Sequence, residues 1–185
     1  MMTRHLPFAL TTLRLLLGPV ALLCALTNVP RWVYFPILVA GTLSDIYDGI
    51  LARRFGVATP ALRRYDSVTD VIYYLFILAV AFRLCPSVIT RHWLLIVLIL
   101  LSETGCILVS YVRFGKYPAT HSYLAKFYGL CLLAALSALL VFDAGGWAVI
   151  ALTVVALTAN LEIIAIHLRA GAPPVDVRSI FSLRQ

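Results

Sequence analysis

The sequence predicts an all-α integral membrane protein with six transmembrane helices. Two features of its composition indicate this class: 62% of the residues are hydrophobic and only 12% are charged. A soluble domain typically has about 45–50% apolar and about 25% charged residues, so the composition excludes an ordinary soluble protein. The third feature is the arrangement of the apolar residues, which form stretches of about 20 residues, the length that crosses a bilayer as a helix.

The predicted spans use most of the chain and leave no room for a separate soluble domain. They are residues 8–28, 33–55, 60–82, 92–113, 123–142 and 147–168. We therefore expect residues 1–185 to form a single polytopic membrane domain. The N-terminal apolar stretch is too long for a signal peptide, contains Arg14 and is followed by no clear cleavage site, so we interpret it as a retained first helix.

The basic residues are distributed unevenly between the two sides of the predicted membrane. If the N-terminus is cytoplasmic, twelve of the fifteen Lys and Arg residues lie at inner ends of the spans, and Arg31, Arg83 and Arg91 lie at outer ends. This asymmetry follows the positive-inside rule, so we expect both termini on the cytoplasmic side. The net charge of +7 then favours anionic headgroups and anionic substrates as partners, not nucleic acid.

Half of the eight acidic residues lie in one stretch, SDIYDGILARRFGVATPALRRYDSVTD, at residues 44–70. They are Asp45, Asp48, Asp66 and Asp70. Gly56 predicts the end of the second span, because glycine is favoured just past a helix end. Thr59 followed by Pro60 predicts the start of the third span, with threonine as the N-cap and proline at the first helical position.

Counting inward from these helix ends places the four carboxylates at two matching depths. At about 1.5 Å per residue, Asp48 and Asp66 lie roughly 10–12 Å from the ends, and Asp45 and Asp70 lie roughly 16 Å from them. Asp45 and Asp48 share one helix face, and so do Asp66 and Asp70. The connection is short, so the two helices should be antiparallel neighbours whose carboxylates meet below a cytoplasmic opening.

Carboxylates this close in a low-dielectric interior need a counter-charge, and a divalent cation is the natural partner. Ligation by oxygen alone favours Mg²⁺ or Mn²⁺ over zinc. Four carboxylates can hold two metal ions, an arrangement that clamps a phosphoryl group. Two other interpretations stay open: ion pairs with Arg53, Arg63 or Arg64 that hold helices together, and a pathway for cation transport.

The same stretch resembles the signature of the CDP-alcohol phosphotransferase family, D-x2-D-G-x2-A-R-x8-G-x3-D-x3-D. Seven of its eight fixed positions match over 26 residues: Asp45, Asp48, Gly49, Ala52, Arg53, Asp66 and Asp70. The first predicted helix also resembles that of the family, at Thr11, Arg14 and Pro19. The chain length, the number of spans and the predicted topology fit the family as well.

The resemblance implies transfer of a phosphatidyl or similar phosphate-ester group from CDP-diacylglycerol to an alcohol, with release of CMP. It implies that Asp45, Asp48 and Asp66 ligate two Mg²⁺ or Mn²⁺ ions. Asp70 would be the general base on the acceptor hydroxyl and would also contact a metal ion. The implied nucleotide-binding residues are Gly49, Ala52, Arg53, Thr59 and Leu62. Membrane lipids as partners, a homodimer and a bacterial-type inner membrane, with the active site facing the cytoplasm, are further implications.

Leu62 stands where the family has its second glycine. It lies four residues before Asp66, so its side chain projects into space that the family keeps clear for the nucleotide. In one interpretation, the small neighbours Ala58 and Ala61 relieve the crowding and activity persists. In the other, the donor binds in a shifted pose, the donor differs, or activity is weak and the protein serves in lipid binding.

A basic segment after the fourth span carries the residues that we consider for acceptor binding. They are Arg113, Lys116, His121 and Lys126. They form either a pocket for the phosphate of the acceptor or ordinary positive charge at a membrane surface. The length and compactness of the chain resemble phosphatidylglycerophosphate synthases, so glycerol 3-phosphate is the first expected acceptor. Inositol phosphate, serine and phosphatidylglycerol remain open.

Overall fold

The computed structural model describes residues 5–116, 120, 122–174, 177 and 179–182. These residues form helices and connecting segments, without a β-strand. The α-helices are α1 (Leu6–Leu26), α2 (Tyr34–Arg54), α3 (Pro60–Leu84), α4 (Pro86–Arg91), α5 (Trp93–Phe114), α6 (Tyr123–Leu140) and α7 (Trp147–Arg169). Two short 3-10 helices, Arg31–Val33 and Ile180–Ser182, complete the described secondary structure.

Six helices of the described part of the chain, all except α4, are long and apolar enough to cross a membrane. Their bounds lie within two residues of the predicted spans. On α1, Leu16 and Leu23 are 59% and 61% exposed, and surfaces of this kind are rare on soluble monomers. The predicted all-α membrane class is therefore confirmed, whereas the orientation with both termini in the cytoplasm stays a prediction.

The end of α2 follows the predicted glycine signal. Gly56 has a φ of +66°, a conformation that glycine adopts without steric cost. Its N–H donates to the carbonyl of Arg53 at 3.2 Å, and the N–H of Val57 donates to the carbonyl of Ala52 at 3.0 Å. This pair of hydrogen bonds is a Schellman motif, which satisfies carbonyls that a helix end would otherwise leave unpaired.

The start of α3 follows the predicted capping signal. Thr59 has extended backbone angles, and its Oγ1 accepts a hydrogen bond from the N–H of Leu62 at 3.2 Å. Pro60 occupies the first helical position, where its missing N–H is not needed. The turn between α2 and α3 is therefore set by local chemistry at both of its ends.

The described residues divide into two compact units. The first contains α1, α2, α3 and the segment Leu136–Asp143. The second contains α5, the remainder of α6 and α7. The prediction that residues 1–185 form a single domain stays a prediction.

In the first unit, α1 packs along both α2 and α3. Gly18 allows the close approach of α3, since a Cβ at that position would lie 2.9 Å from Cδ2 of Phe76. On α2, Gly41 leaves room for the end of the Tyr73 side chain, since a Cβ there would collide with the Tyr73 hydroxyl. That hydroxyl donates to the carbonyl of Ile37 at 3.4 Å. Small residues of this kind let transmembrane helices approach closely.

Arg31 links three segments of the first unit, at the ends of α2 and α3 away from their connecting turn. Its Nη1 lies 3.0 Å from Oδ1 of Asp143, and its Nη2 donates to the carbonyl of Leu84 at 3.1 Å. The adjacent Cys85 is buried, and its thiol donates to the carbonyl of Leu139 at 3.5 Å. Burial raises the pKa of the Cys85 thiol, so the sulfur stays protonated and able to donate.

In the second unit, polar residues of the spans bond to neighbouring helices. Asn160 of α7 donates from Nδ2 to Oγ of Ser102 on α5 at 2.8 Å, and Cys106 donates to the carbonyl of Asn160 at 3.3 Å. The Tyr128 hydroxyl of α6 donates to Oε1 of Glu103 at 2.6 Å. These intramembrane polar groups join helices, a common use of such residues in membrane proteins.

Candidate active site

The aspartates of α2 and α3 converge on one side chain of α1, that of Arg14. Nη1 of Arg14 pairs with Asp45 and lies 2.5 Å from Oδ1 of Asp70. Nη2 pairs with Asp66 and lies 3.1 Å from Oδ2 of Asp48. The four aspartates are called the carboxylate cluster below. Their convergence is the arrangement that counting inward from Gly56 and Thr59 predicts.

Three members of the carboxylate cluster are close enough to share a ligand. Asp45, Asp48 and Asp66 each offer one carboxylate oxygen, and these oxygens lie within 4.8 Å of one another. Asp70 joins the group through the guanidinium of Arg14 and lies outside that triad. The Asp48 side chain is only 5% exposed, whereas that of Asp45 is 48% exposed. The cluster is therefore closed on one side and accessible on the other.

Asp48, the most buried member, is held by two donors from α1. Thr11 donates from Oγ1 to Oδ2 of Asp48 at 2.9 Å, and Arg14 donates to the same oxygen. Thr11 and Arg14 are three residues apart, so they lie on one face of α1. Both side chains are 1% exposed, which makes them a buried polar stripe on an otherwise apolar helix.

A second contact between α1 and α3 lies beside Asp66. The hydroxyls of Thr12 and Tyr65 are 3.1 Å apart and share a hydrogen bond. The ring of Tyr65 also stacks on that of Phe8, with centroids 5.0 Å apart and an interplanar angle of 20°. These contacts hold the backbone that carries Asp66 against the first half of α1.

The charges of the cluster do not balance without a further cation. With all four carboxyl groups ionised, the one guanidinium of Arg14 offsets a single charge, and three negative charges are left without a counter-ion among the described residues. Buried charges are normally paired or bind metal ions. An all-oxygen set of donors matches the preference of hard divalent cations. The residues present therefore fit a divalent metal ion.

The arginines that sequence reasoning considered as partners are placed elsewhere. Arg53, Arg63 and Arg64 are exposed, and the ion pairs to the cluster found among the described residues come from Arg14 instead. The sequence interpretation assigned Arg14 only a resemblance to the family's first helix. A usable signal was present, because Arg14 is the one charged residue within α1 and an intramembrane charge marks function by default.

The residues expected to bind nucleotide lie around the turn between α2 and α3. A Cβ on Gly49 would meet only the guanidinium of Arg53, at 3.8 Å, so protein packing leaves open space there. Ala52 is buried, Thr59 caps α3, and Leu62 is half-buried. The absence of a packing constraint at Gly49 is consistent with space reserved for a ligand.

The basic residues expected to bind the acceptor belong to the second unit. Arg113 donates from Nη2 to the carbonyl of Ala170 at 3.2 Å and keeps an exposed side chain. Lys116 and Lys126 are exposed as well. His121 lies outside the described residues. Their role in acceptor binding stays a prediction.

Comparison with protein families gives a match over most of the chain. The family described as CDP-alcohol phosphatidyltransferase matches residues 4–160, a range that contains α1, α2, α3 and the whole carboxylate cluster. The comparisons with curated proteins and with solved structures found no match. The chain belongs to the CDP-alcohol phosphatidyltransferase family and is therefore a transferase of phosphate-substituted groups that uses a CDP-alcohol donor and an alcohol acceptor.

Proposed function

We propose that the carboxylate cluster catalyses transfer of the phosphatidyl group of CDP-diacylglycerol to an alcohol, with release of CMP. The observation that carries this proposal is the convergence of Asp45, Asp48 and Asp66, whose carboxylates each offer one oxygen within 4.8 Å of the others. A phosphoryl group carries charge that must be neutralised in its transition state, and such a cluster can hold the cations that do so. Family membership supplies the class of donor.

The triad of Asp45, Asp48 and Asp66 is suited to hold Mg²⁺ or Mn²⁺, and Asp70 completes a set large enough for two ions. When bound, the metal supplies positive charge beside the phosphate oxygens. Thr11 orients Asp48 through its hydrogen bond, so the buried carboxylate keeps one geometry. A partner that orients a ligand in this way typically strengthens metal binding.

The donor nucleotide is assigned to the turn side of the cluster. Gly49 keeps side-chain volume small beside the carboxylates, which allows a nucleotide to approach the helix backbone there. Ala52 is buried and enters the proposed set through its place in the family's signature. Arg53 is exposed and unhindered, so its guanidinium is available to a phosphate oxygen. Thr59 and Leu62 lie at the start of α3 and complete the proposed nucleotide-binding set.

Asp70 is assigned the role of general base. The acceptor hydroxyl oxygen forms a bond to the phosphatidyl phosphorus, the bond from that phosphorus to the phosphate oxygen of CMP breaks, and the hydroxyl proton passes to Asp70. Asp70 shares Nη1 of Arg14 with Asp45, at 2.5 Å from its own Oδ1, so its side chain lies toward the other carboxylates. A general base must be within hydrogen-bond reach of the proton that it removes. The position of Asp70 places such a base beside the cluster, where the acceptor hydroxyl is proposed to bind.

Glycerol 3-phosphate is the first candidate acceptor, with inositol phosphate, serine and phosphatidylglycerol as alternatives. The basic residues Arg113, Lys116, His121 and Lys126 are proposed to bind an acceptor phosphate. The uneven distribution of Lys and Arg supports an active site that faces the cytoplasm. We extend the proposal to a homodimer in a bacterial-type inner membrane.

A CMP-release assay tests the proposed function. Purified protein in lipid nanodiscs is supplied with CDP-diacylglycerol, a panel of acceptors, and Mg²⁺, Mn²⁺ or EDTA. We expect metal-dependent CMP release with one acceptor and a loss of about 100-fold or more in Asp70→Asn, the usual scale for a general base. Asp143→Asn, which changes an aspartate outside the cluster, is the matched control and should retain activity.

The same preparation separates the proposed transferase from a cation transporter. A transporter would carry Mn²⁺ into liposomes without any nucleotide, and the Asp70→Asn variant would reduce that flux. Metal flux together with no CMP release from any acceptor would contradict the transferase proposal.

A further inference from the structure

We propose that Arg14 is a built-in counter-ion of the carboxylate cluster that competes with the divalent cation for the same carboxylates. The inference rests on the proposed function, because it assumes that the cluster holds a metal ion. The inference goes beyond the proposed function because it assigns a role to Arg14 of α1, which lies outside the Asp-rich stretch of residues 44–70. Arg14 would stabilise the folded protein when no metal is bound, and its ion pairs would loosen when metal binds.

The first support is the number of ion pairs that one side chain makes. Arg14 is 1% exposed and contacts all four members of the cluster through its two terminal nitrogens. Joining α1 to α2 and α3 requires one carboxylate from each helix. Contacts to two carboxylates on each helix place the guanidinium where the cluster's negative charge is concentrated, which is where a metal ion would also be attracted.

The second support is that three of the four carboxylates paired with Arg14 form the proposed metal triad. Asp45, Asp48 and Asp66 all contact Arg14, and the same three residues offer the oxygens within 4.8 Å of one another. A carboxylate engaged by a guanidinium is a poorer ligand, and two cations attracted to the same carboxylates repel each other in a low dielectric. Metal binding and the full set of Arg14 ion pairs therefore oppose each other.

The third support is an unpaired donor on Arg14 itself. Within the described residues its Nε is buried and has no hydrogen-bond partner. A buried donor without a partner is unfavourable, so the guanidinium is not held by a fully satisfied network. The position of Arg14 is set by the attraction of the carboxylates, an attraction that a divalent cation weakens.

The experiment measures stability and metal binding, not activity. Arg14→Met removes the charge at similar length, and Arg31→Met is the matched control, because Arg31 pairs with Asp143 away from the cluster. Each protein is stripped with EDTA and its melting temperature is measured with and without Mn²⁺. The affinity for Mn²⁺ is measured by electron paramagnetic resonance in nanodiscs, with no lipid donor present.

We expect Arg14→Met to melt about 6–20 °C below wild type in EDTA, because removing one partner leaves buried charges uncompensated. Mn²⁺ should recover most of that loss, and Arg14→Met should bind Mn²⁺ about tenfold more tightly than wild type, since the competing cation is gone. Arg31→Met should keep the wild-type affinity, and its melting temperature should not be restored by Mn²⁺.

An unchanged or weaker affinity for Mn²⁺ in folded Arg14→Met would contradict the proposal that Arg14 competes with the metal ion. If Arg14→Met does not fold in EDTA, the double variant Arg14→Met/Asp70→Asn decides, because it removes one negative charge together with the positive one. Recovery of folding in the double variant supports the counter-ion role, whereas continued failure shows that Arg14 acts by packing.

The two proposals fail separately. Competition for Mn²⁺ without CMP release from any acceptor contradicts the proposed function and leaves the role of Arg14 in place. Metal-dependent CMP release with no competition contradicts the role of Arg14 alone.

Discussion

A methyl group placed on Gly41 should clash with Tyr73 and displace a helix or a side chain beside the active site. The Cβ of Gly41→Ala would lie 2.6 Å from Cζ of Tyr73, where an ordinary contact begins at 3.4 Å. Tyr73 is 1% exposed and has little freedom to turn away. Either its ring or the helix must therefore move by roughly 1 Å, and overpacking of this kind costs about 1–3 kcal/mol.

The displacement should reach the carboxylate cluster directly. Gly41 lies four residues before Asp45 on α2, and Tyr73 lies three residues after Asp70 on α3, so the contact is one helical turn from the cluster. A stability loss of that size lowers the melting temperature of a chain of this length by about 3–10 °C. Misplacement of reacting groups by about 1 Å can reduce turnover by about 100-fold, so CMP release should fall as well.

The assay compares melting temperature and CMP release for Gly41→Ala and Gly105→Ala. Gly105 is the matched control, because its nearest neighbour for a Cβ is Cδ1 of Ile164 at 3.8 Å, an ordinary contact. Adding Tyr73→Phe to Gly41→Ala removes the hydroxyl but leaves the ring carbon, so only partial recovery is expected. If Gly41→Ala matches Gly105→Ala in both measurements, the reasoning from the close contact between Gly41 and the Tyr73 side chain is refuted.

Three further predictions concern the nucleotide side of the site. Gly49→Leu should weaken CDP-diacylglycerol binding at least about tenfold. It should not lower the melting temperature, since within the described residues Arg53 is the only side chain near a Cβ at this position. A lower melting temperature together with weaker binding would refute the idea that this space is reserved for the nucleotide. Leu62→Gly should leave CMP release nearly unchanged, because the small neighbours Ala58 and Ala61 relieve crowding; a large gain would show impairment by the leucine. Thr59→Val should lower the melting temperature by about 2–4 °C, because the cap of α3 is lost. If this effect is purely structural, CMP release per folded molecule should stay unchanged.

The helices could be predicted closely because their signals are local. The length of each apolar stretch reflects the bilayer thickness, and Gly56 and Thr59 mark ends by chemistry that needs no distant partner. The short helix α4, Pro86–Arg91, was not predicted, nor was the 3-10 helix Arg31–Val33. Both are too short for an apolar period to distinguish a helix from a loop.

The site could be predicted only in part, because half of it depends on a third helix. Counting along one hairpin shows that Asp45, Asp48, Asp66 and Asp70 meet, since depth along two joined helices follows from residue number. It cannot show that α1 packs against both helices and brings Arg14 among the carboxylates. That arrangement depends on close approaches such as the one at Gly18, which are properties of packed surfaces.

The charge of the site ties its assembly to its function. Asp48 is almost fully buried, and its donors Thr11 and Arg14 both come from α1. Packing of α1 therefore covers this carboxylate and at the same time supplies donors that offset the cost of its burial. One guanidinium offsets only part of the charge of four ionised carboxylates, and the remaining negative charge attracts a divalent cation. The three helices thus hold a site that is stable enough to fold and still negative enough to bind metal.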